Sequence, residues 1–363
     1  MAAPSSDVLS RRLHNQKLTS ADRLTATELV AWLGAVQAQD YPAAKWALGL
    51  RGRGLGDADI EHAFNDGNIL RTHVLRPTWH FVSPGDIRWM LALTAPRVHA
   101  LNAHYYRQAE LDDKTIKKSR VIIERALAGG QHLTRVELAD RLSRAKITAE
   151  GLKLAYLMMH AELEGVICSG PRHDKHFTYA LLEERAPKTT AITREEALAR
   201  LVERYFSSHG PATLSDFTCW SGLLVRDARL GIELAGNALV EETIDGRLHW
   251  SAATPAPAPA KRRSSPVYLL PNYDEYLIAY KDRPAANSTR AANMEARSNG
   301  AFPHHLVIAG RLAGSWRRTV KANSVAVEVA PYKALSKAHT RAVTGEAECY
   351  SEFLNMPLEF TIY

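Results

Sequence analysis

Through the first 250 residues, apolar positions recur at helical spacing in short stretches. Each group of such stretches is followed by strand-like alternation. The clearest group spans 193–250. Residues 193–208 make a periodic helix, opened by a Thr193/Glu196 capping box and closed at Gly210. A second short helix follows Pro211 and runs through Trp220, Gly222 interrupts it, and 225–235 makes a third. Residues 238–244 and 247–250 flank Asp245-Gly246, a strong two-residue hairpin signal.

The same order occurs twice upstream. In the middle copy, 119–128 is a helix ended by Gly129-Gly130, Thr134 and Glu137 box the start of 136–142, and 150–163 is a longer helix. Strands at 166–169 and 176–182 surround a polar tip, Pro171 to Lys175. The first copy is looser: a helix capped by Thr25 and Glu28 and running to about Gln37, helices at 43–50 and 58–65, and strands at 69–75 and 78–82 around Arg76-Pro77. A further helical stretch covers 84–108. Three helices and then a hairpin is the winged-helix arrangement, a relative of the helix-turn-helix. Three copies in order predict tandem winged-helix domains.

The texture changes after residue 253. Residues 254–265 alternate Pro and Ala and end in Lys261-Arg262-Arg263 and two serines, which is the composition of an extended linker. Beyond it, short β-rich runs at 267–270, 277–279, 305–308, 311–316, 325–329 and 358–362 suggest a small barrel or sandwich. The expected class is α+β, divided as 1–113, 114–190, 191–253, the linker 254–265, and 266–363.

Composition narrows the class of partner. The chain has 363 residues, enough for a full core without disulfide or metal staples. Its three cysteines are far apart and form no C-x-x-C, which excludes a zinc ribbon and a disulfide framework. No apolar run approaches the ~20 residues of a membrane span, and the N-terminus has no apolar leader, so the cytoplasm is expected. The 46 Lys+Arg against 39 Asp+Glu favour an anionic partner. The excess is concentrated: residues 114–146 carry nine Lys+Arg and three Asp+Glu. Lys117, Lys118, Arg120 and Arg135 could follow phosphates there, or they could simply form a solvated helical face. Residues 284–298, with Arg290 and Arg297, are polar and rich in small side chains. They read equally as a loop reaching a groove and as a disordered stretch.

The common catalytic signatures are absent: no G-x-S-x-G, Walker loop, H-E-x-x-H or G-x-G-x-x-G occurs. Gly52-Arg-Gly54-Leu-Gly56 follows no strand and reads as a loop. His304-His305 reads as a surface or edge pair, and Asp274-Glu275 as a structurally paired carboxylate couple rather than metal ligands. No metal or cofactor is expected. The unusual stretch is Gln37-Ala38-Gln39-Asp40-Tyr41-Pro42. Residues two apart point to opposite sides of a helix but share a face of an extended segment. Pro42 pushes Tyr41 out of the helical region, so the helix should stop near Gln37. The two amides can then converge on one site. They can also be solvated glutamines at a helix end.

Gln37-Ala38-Gln39 after an amphipathic helix, followed by Arg76-Pro-Thr-Trp-His80-Phe-Val, resembles the winged-helix DNA glycosylases of the AlkZ and YcaQ type. So do His209-Gly-Pro-Ala-Thr213, Trp220-Ser-Gly222, Pro271-Asn-Tyr-Asp-Glu-Tyr276, Lys281-Asp-Arg283, Asn299-Gly300 and Gly310-Arg-Leu-Ala-Gly-Ser-Trp316. Gln at the last position of the triplet is like the AlkZ branch. The resemblance implies three winged helices and a C-terminal β-barrel around double-stranded DNA. It implies a monofunctional glycosylase that excises purines alkylated at nitrogen 7 and unhooks azinomycin-type interstrand crosslinks; a monomer is expected, since nothing in the sequence demands an oligomer.

Two amides suit that chemistry. A carboxamide is no general base at neutral pH, but an N7-alkylated purine already carries positive charge and leaves as a neutral molecule. What remains is to place a water and to aim negative dipoles at an oxocarbenium-like sugar. Gln39 is assigned to water placement, and Gln37 to orienting that water and stabilising the cation. Asp40 is a rival water activator. His80 is either a sugar or backbone contact or a packed core histidine, and Trp79 a core residue or a stacking wedge. A crosslinked base cannot leave the stack, so an open basic cleft is expected rather than a flipping pocket. The competing class is a non-catalytic winged-helix regulator, which would place its polar side chains along a recognition helix.

Overall fold

The structure is a computed structural model that describes residues 5–20, 22–254, 266–281 and 303–363. After an N-terminal helix α1 (Ser6–Asn15), the chain runs α2 (Ala26–Leu33), β1 (Ala35–Gln37), α3 (Tyr41–Gly49), α4 (Asp57–Asn65), β2 (Leu70–His73) and β3 (Trp79–Val82). The long α5 (Ile87–Gln108) leads to α6 (Asp113–Leu127), β4 (Leu133–Thr134), α7 (Arg135–Arg144), α8 (Gly151–Leu163), β5 (Ile167–Ser169) and β6 (Thr178–Leu181). The two groups share one topology: a short strand after the first helix joins the hairpin, giving sheet orders β1-β3-β2 and β4-β6-β5.

A short α9 (Leu182–Arg185) precedes the third group: α10 (Arg194–His209), α11 (Leu214–Ser221), α12 (Val225–Ala235) and the hairpin β7 (Leu239–Ile244) with β8 (Arg247–Ala252). Here the first strand shrinks to a single bridge, Ala212 to Trp250. The expected order of helices and hairpins is thus present three times. The expected linker, from residue 255 onward, lies outside the described residues.

Of the boundaries that differ from expectation, two bear on the site. The first helix ends at Leu33, not near Gln37, because Gly34 turns the chain at φ 82°. The glutamines therefore start from a strand. The segment expected as a strand at 277–279 lies largely in the one-turn helix α13 (Glu275–Ile278), capped by Asp274.

The C-terminal region corrects the barrel. β9 (Val267–Leu270), β10 (His304–Ile308), β11 (Arg311–Val320), β12 (Val325–Pro331) and β13 (Leu358–Ile362) form one five-stranded sheet in the order β13-β12-β11-β10-β9. Among the described residues its two outer strands do not pair, so it is an open sheet and not a closed barrel. The 18-residue α14 (Lys337–Leu354), which the β-rich expectation overlooked, carries Val343, Ala347, Tyr350 and Phe353 into the core beside it. Their spacing of three and four residues is the helical signal.

Core packing crosses the expected partition. One core joins Leu29, Val30 and Trp46 of the first group to Leu269 and Val327 of the terminal sheet and to Tyr350 of α14. A second core packs Leu70, Val82 and Met90 against Leu201, Phe206 and Trp220 of the third group and Tyr280 near the terminal sheet. The middle group keeps a core of its own, built on Ile123, Leu127, Leu138, Leu142 and Leu157. A buried ion pair reinforces the first junction: Arg51 donates from Nη1 and Nη2 to the two Asp274 oxygens at 2.8 and 2.9 Å.

Candidate active site around Gln37 and Gln39

The segment after Gly34 is extended and pairs with β3, Ala35 opposite Val82, Val36 opposite Phe81 and Gln37 opposite His80. Alternation sends Val36 and Ala38 into the core, where both are buried, and turns Gln37 to the other side; β1 ends at Gln37, and Gln39 follows in a bend. Ala38 is held at both backbone groups: its N–H donates to the Trp79 carbonyl at 2.7 Å, and its carbonyl accepts from Arg71 Nε at 3.0 Å. The Arg71 guanidinium lies between Trp79 and Phe177, at 4.3 and 4.7 Å from the ring centroids. Burial lowers the Arg71 pKa to about 10, which leaves it charged at neutral pH.

The amide oxygens have defined directions. Arg76 Nη2 donates to Gln37 Oε1 at 3.1 Å, and the Trp79 N–H donates to Gln39 Oε1 at 3.4 Å. A donor beside each oxygen sets which end of the amide faces it, and each carbonyl keeps a second lone pair for another hydrogen bond. Gln37 is 8% exposed and Gln39 is exposed. One amide is therefore set into the surface and its neighbour stands on it. A cleft of about 1020 Å³ between the Gly52–Gly56 loop and α14, lined by Trp46, Arg53, His339 and Phe353 among others, includes neither glutamine.

His80 has no exposed surface. Its Nδ1 donates to the Thr78 carbonyl at 2.9 Å. Burial, with the Arg76 charge nearby, pushes its pKa down to about 3, so the ring is neutral at physiological pH. Directly opposed residues share a sheet face, so His80 and its β2 partner Thr72 lie on the Gln37 side. His80 Nε2, Thr72 Oγ1, Thr78 Oγ1 and Arg76 Nε are buried without a hydrogen-bond partner among the described residues. Unpaired buried polar atoms are costly, and these mark polar ground beside Gln37.

Asp40 caps α3: Oδ1 accepts from the Ala43 N–H at 3.1 Å, and Oδ2 accepts from Asn272 Nδ2 at 3.1 Å, with Arg318 3.6 Å away. Trp79 is partly buried, stacked near His73, and its indole N–H donates to Glu162 at 3.3 Å. Glu162 is also hydrogen-bonded to His73. Lys117, Lys118 and Arg120 are exposed on α6, where Lys118 donates to the Ala145 carbonyl and Arg120 to Glu124. Arg135, at the start of α7, is half-buried. Arg290 and Arg297, the rest of 284–298, Asp282-Arg283 and Asn299-Gly300 lie outside the described residues.

One histidine expectation is corrected, and the structure adds a second histidine cluster. His304 and His305 are not a surface or edge pair: they sit in β10, inside the sheet, and His304 Nδ1 accepts from the Asn272 N–H at 2.8 Å. His99 and His160, with Glu164, bring ligand atoms within 4.8 Å of one another on α5 and at the end of α8. Neither element carries one of the glutamines.

The pattern missed Arg71 and Glu162, and it named Glu275 without its role. An arginine inside the strand-like run 69–75 was the available signal for Arg71. Glu275 is 1% exposed; its Oε1 accepts the Gln37 N–H at 2.9 Å, and its Oε2 accepts the Trp220 indole N–H at 2.9 Å. Its neighbour Asp274 is taken by Arg51. Both carboxylates are thus structurally paired, as expected.

Comparison with known proteins gives the family and the fold. The family model described as DNA glycosylase AlkZ-like matches residues 30–353. An interstrand DNA cross-link repair glycosylase of Streptomyces sahachiroi is 25% identical over 330 residues, covering 87% of this chain and 88% of that protein. The solved structure of the Streptomyces sahachiroi DNA glycosylase AlkZ aligns with a TM-score of 0.76 at 22% identity, over 99% of this chain and 100% of that one, which shows a common fold. Matched by the family model from the second helix to the last, this chain belongs to the AlkZ-like family of DNA glycosylases.

Proposed function

We propose that this glycosylase hydrolyses the N-glycosidic bond of purines alkylated at nitrogen 7 in double-stranded DNA, and that it unhooks interstrand crosslinks made there, including crosslinks of the azinomycin type. The observation that carries this reading is the pair of amides at the end of β1 and in the bend after it, Gln37 inset and Gln39 exposed, each oxygen oriented by a donor. The groups that could compete as a base are engaged or neutral. Asp40 is fixed in place by capping α3 and by Asn272, and His80, with a pKa of about 3, is too weak a base. A site without an available general base suits a leaving group that is already charged. Gln39 holds the attacking water, while Gln37 orients it and stabilises the cationic sugar, by positioning and fixed dipoles.

Three helix–hairpin groups with a common strand order support a winged-helix layout, divided at about 113, 190 and 253, with the open sheet as a fourth part. Lys117, Lys118, Arg120 and Arg135 then contact phosphates, and Trp79 and His80 support the reaction from beneath the surface. The enzyme acts as a monomer without a cofactor. Membership of a glycosylase family leaves the regulator alternative with no observation in its favour.

The test is release of free 7-methylguanine from methylated duplex DNA and unhooking of a defined N7 crosslink. Gln37→Ala and Gln39→Ala are each expected to slow single-turnover release by about 10²-fold, the scale of losing one preorganised polar group in an active site. Wild-type rates in both variants would refute the assignment.

A further inference from the structure

Three of the motifs quoted above meet at one carboxylate, that of Glu275. His209, Trp220 and Glu275 come from separate segments, yet Trp220 Nε1 donates to Glu275 Oε2, and His209 Nε2 stands 3.7 Å from the same oxygen. The other oxygen accepts the backbone N–H of Gln37 across 238 residues of chain. The segment that carries Trp220 also braces the first hairpin: a Cβ on Gly222 would meet the Leu75 carbonyl at 2.7 Å, next to Arg76.

The charges near Gln37 give this carboxylate a purpose. Arg76 lies 3.1 Å from the Gln37 oxygen and Arg71 is bonded to the Ala38 carbonyl. Two guanidinium groups beside the amides oppose a reaction that creates positive charge on a sugar. Burial works to raise the Glu275 carboxyl, but His209 and the Gln37 N–H outweigh it and hold it below the usual glutamate range. An ionised group out of water is weakly screened, so its field reaches beyond its hydrogen bonds.

We propose that Glu275 is a positioning residue for base excision: it fixes strand β1 through the Gln37 N–H and sets a negative charge behind the amides, where the sugar becomes cationic. The proposal rests on Gln37 and Gln39 as the reactive pair.

The experiment uses the full chain and three duplexes: methylated DNA, DNA with a pyrrolidine abasic nucleotide (a cationic sugar mimic), and DNA with the neutral tetrahydrofuran analogue. Wild type is expected to bind the cationic duplex at least ten-fold tighter than the neutral one. Glu275→Gln is expected to lose most of that preference, keep its affinity for the neutral duplex, and release 7-methylguanine at least ten-fold more slowly. Trp220→Phe removes one hydrogen bond to the same carboxylate but leaves its charge, so it should keep the preference. The proposal is overturned if wild type shows no preference, a result that does not depend on any variant folding. It is also overturned if Glu275→Gln keeps both preference and rate, or if Trp220→Phe loses the preference as Glu275→Gln does. Gln37→Ala and Gln39→Ala, run alongside, separate the failures. Should they excise normally, the reading beneath the proposal falls; should they be inactive while Glu275→Gln is normal, only the role of Glu275 falls.

Discussion

The imidazole of His80 shows what burial does to a single residue. Buried on β3 beside Arg76, it is neutral down to a pKa of about 3, and His304, half-buried beside Arg318, is lowered to about 4. Both values are below that of an unfolded histidine. Between them and about 6.5 the unfolded chain therefore binds more protons, and stability rises with pH. Their full contribution is present above about 6.5 and is lost as the pH falls toward 4. Urea unfolding midpoints measured between pH 7 and pH 4.5 should drop accordingly. His80→Gln should reduce the slope by up to about 1.4 kcal/mol per pH unit. An unchanged slope in that variant would mean that His80 is not the buried neutral group described.

At the scale of the element, the placement of Gln37 depends on how one helix stops. Thr25 and Glu28 cap α2 reciprocally, and Gly34 ends it at φ 82°, where an added Cβ would also press on Arg204 Cγ at 3.0 Å. β1 begins at the next residue. Gly34→Ala should cost about 1–3 kcal/mol of stability and also slow base release, because the strain is relieved by moving the strand that bears Gln37. Thr25→Ala acts at the far end of the helix. It should cost about 1 kcal/mol in thermal unfolding and leave the excision rate of the folded enzyme unchanged. Equal effects of the two variants on rate would show that the helix stop does not set the strand.

At the scale of the whole molecule, the first helices and the terminal sheet are one body, joined by a shared core and by the buried Arg51–Asp274 pair. Removing one partner strands the other charge, so Asp274→Asn should lower stability by about 3–5 kcal/mol. A double Arg51→Met/Asp274→Asn variant should recover part of that loss, read from paired denaturation curves. DNA affinity is a separate property of the exposed basic face. If Lys117 and Lys118 each neutralise a phosphate, Lys117→Ala/Lys118→Ala should reduce the slope of log K against log salt by about 2. A slope equal to that of wild type would move the DNA path away from α6.

The sequence by itself determined the local features of this protein. Capping boxes, glycine stops and the Asp245-Gly246 turn act over a few residues, so the three helix–hairpin groups were legible. So was the non-helical character of Gln37-Ala38-Gln39, although the stop that sets it is Gly34 and not Pro42, which lies in the first turn of α3 with Tyr41 before it. Tertiary structure decided what depends on distant partners. The terminal strands close or stay open according to long-range pairing, which periodicity does not encode. α14 was overlooked although its apolar spacing was helical, because strands surround it on both sides in sequence. That Asp40 also holds Asn272, and that Glu275 accepts the Gln37 N–H, depends on partners more than two hundred residues away. The carboxylate beneath the amides is therefore visible only once the chain is folded.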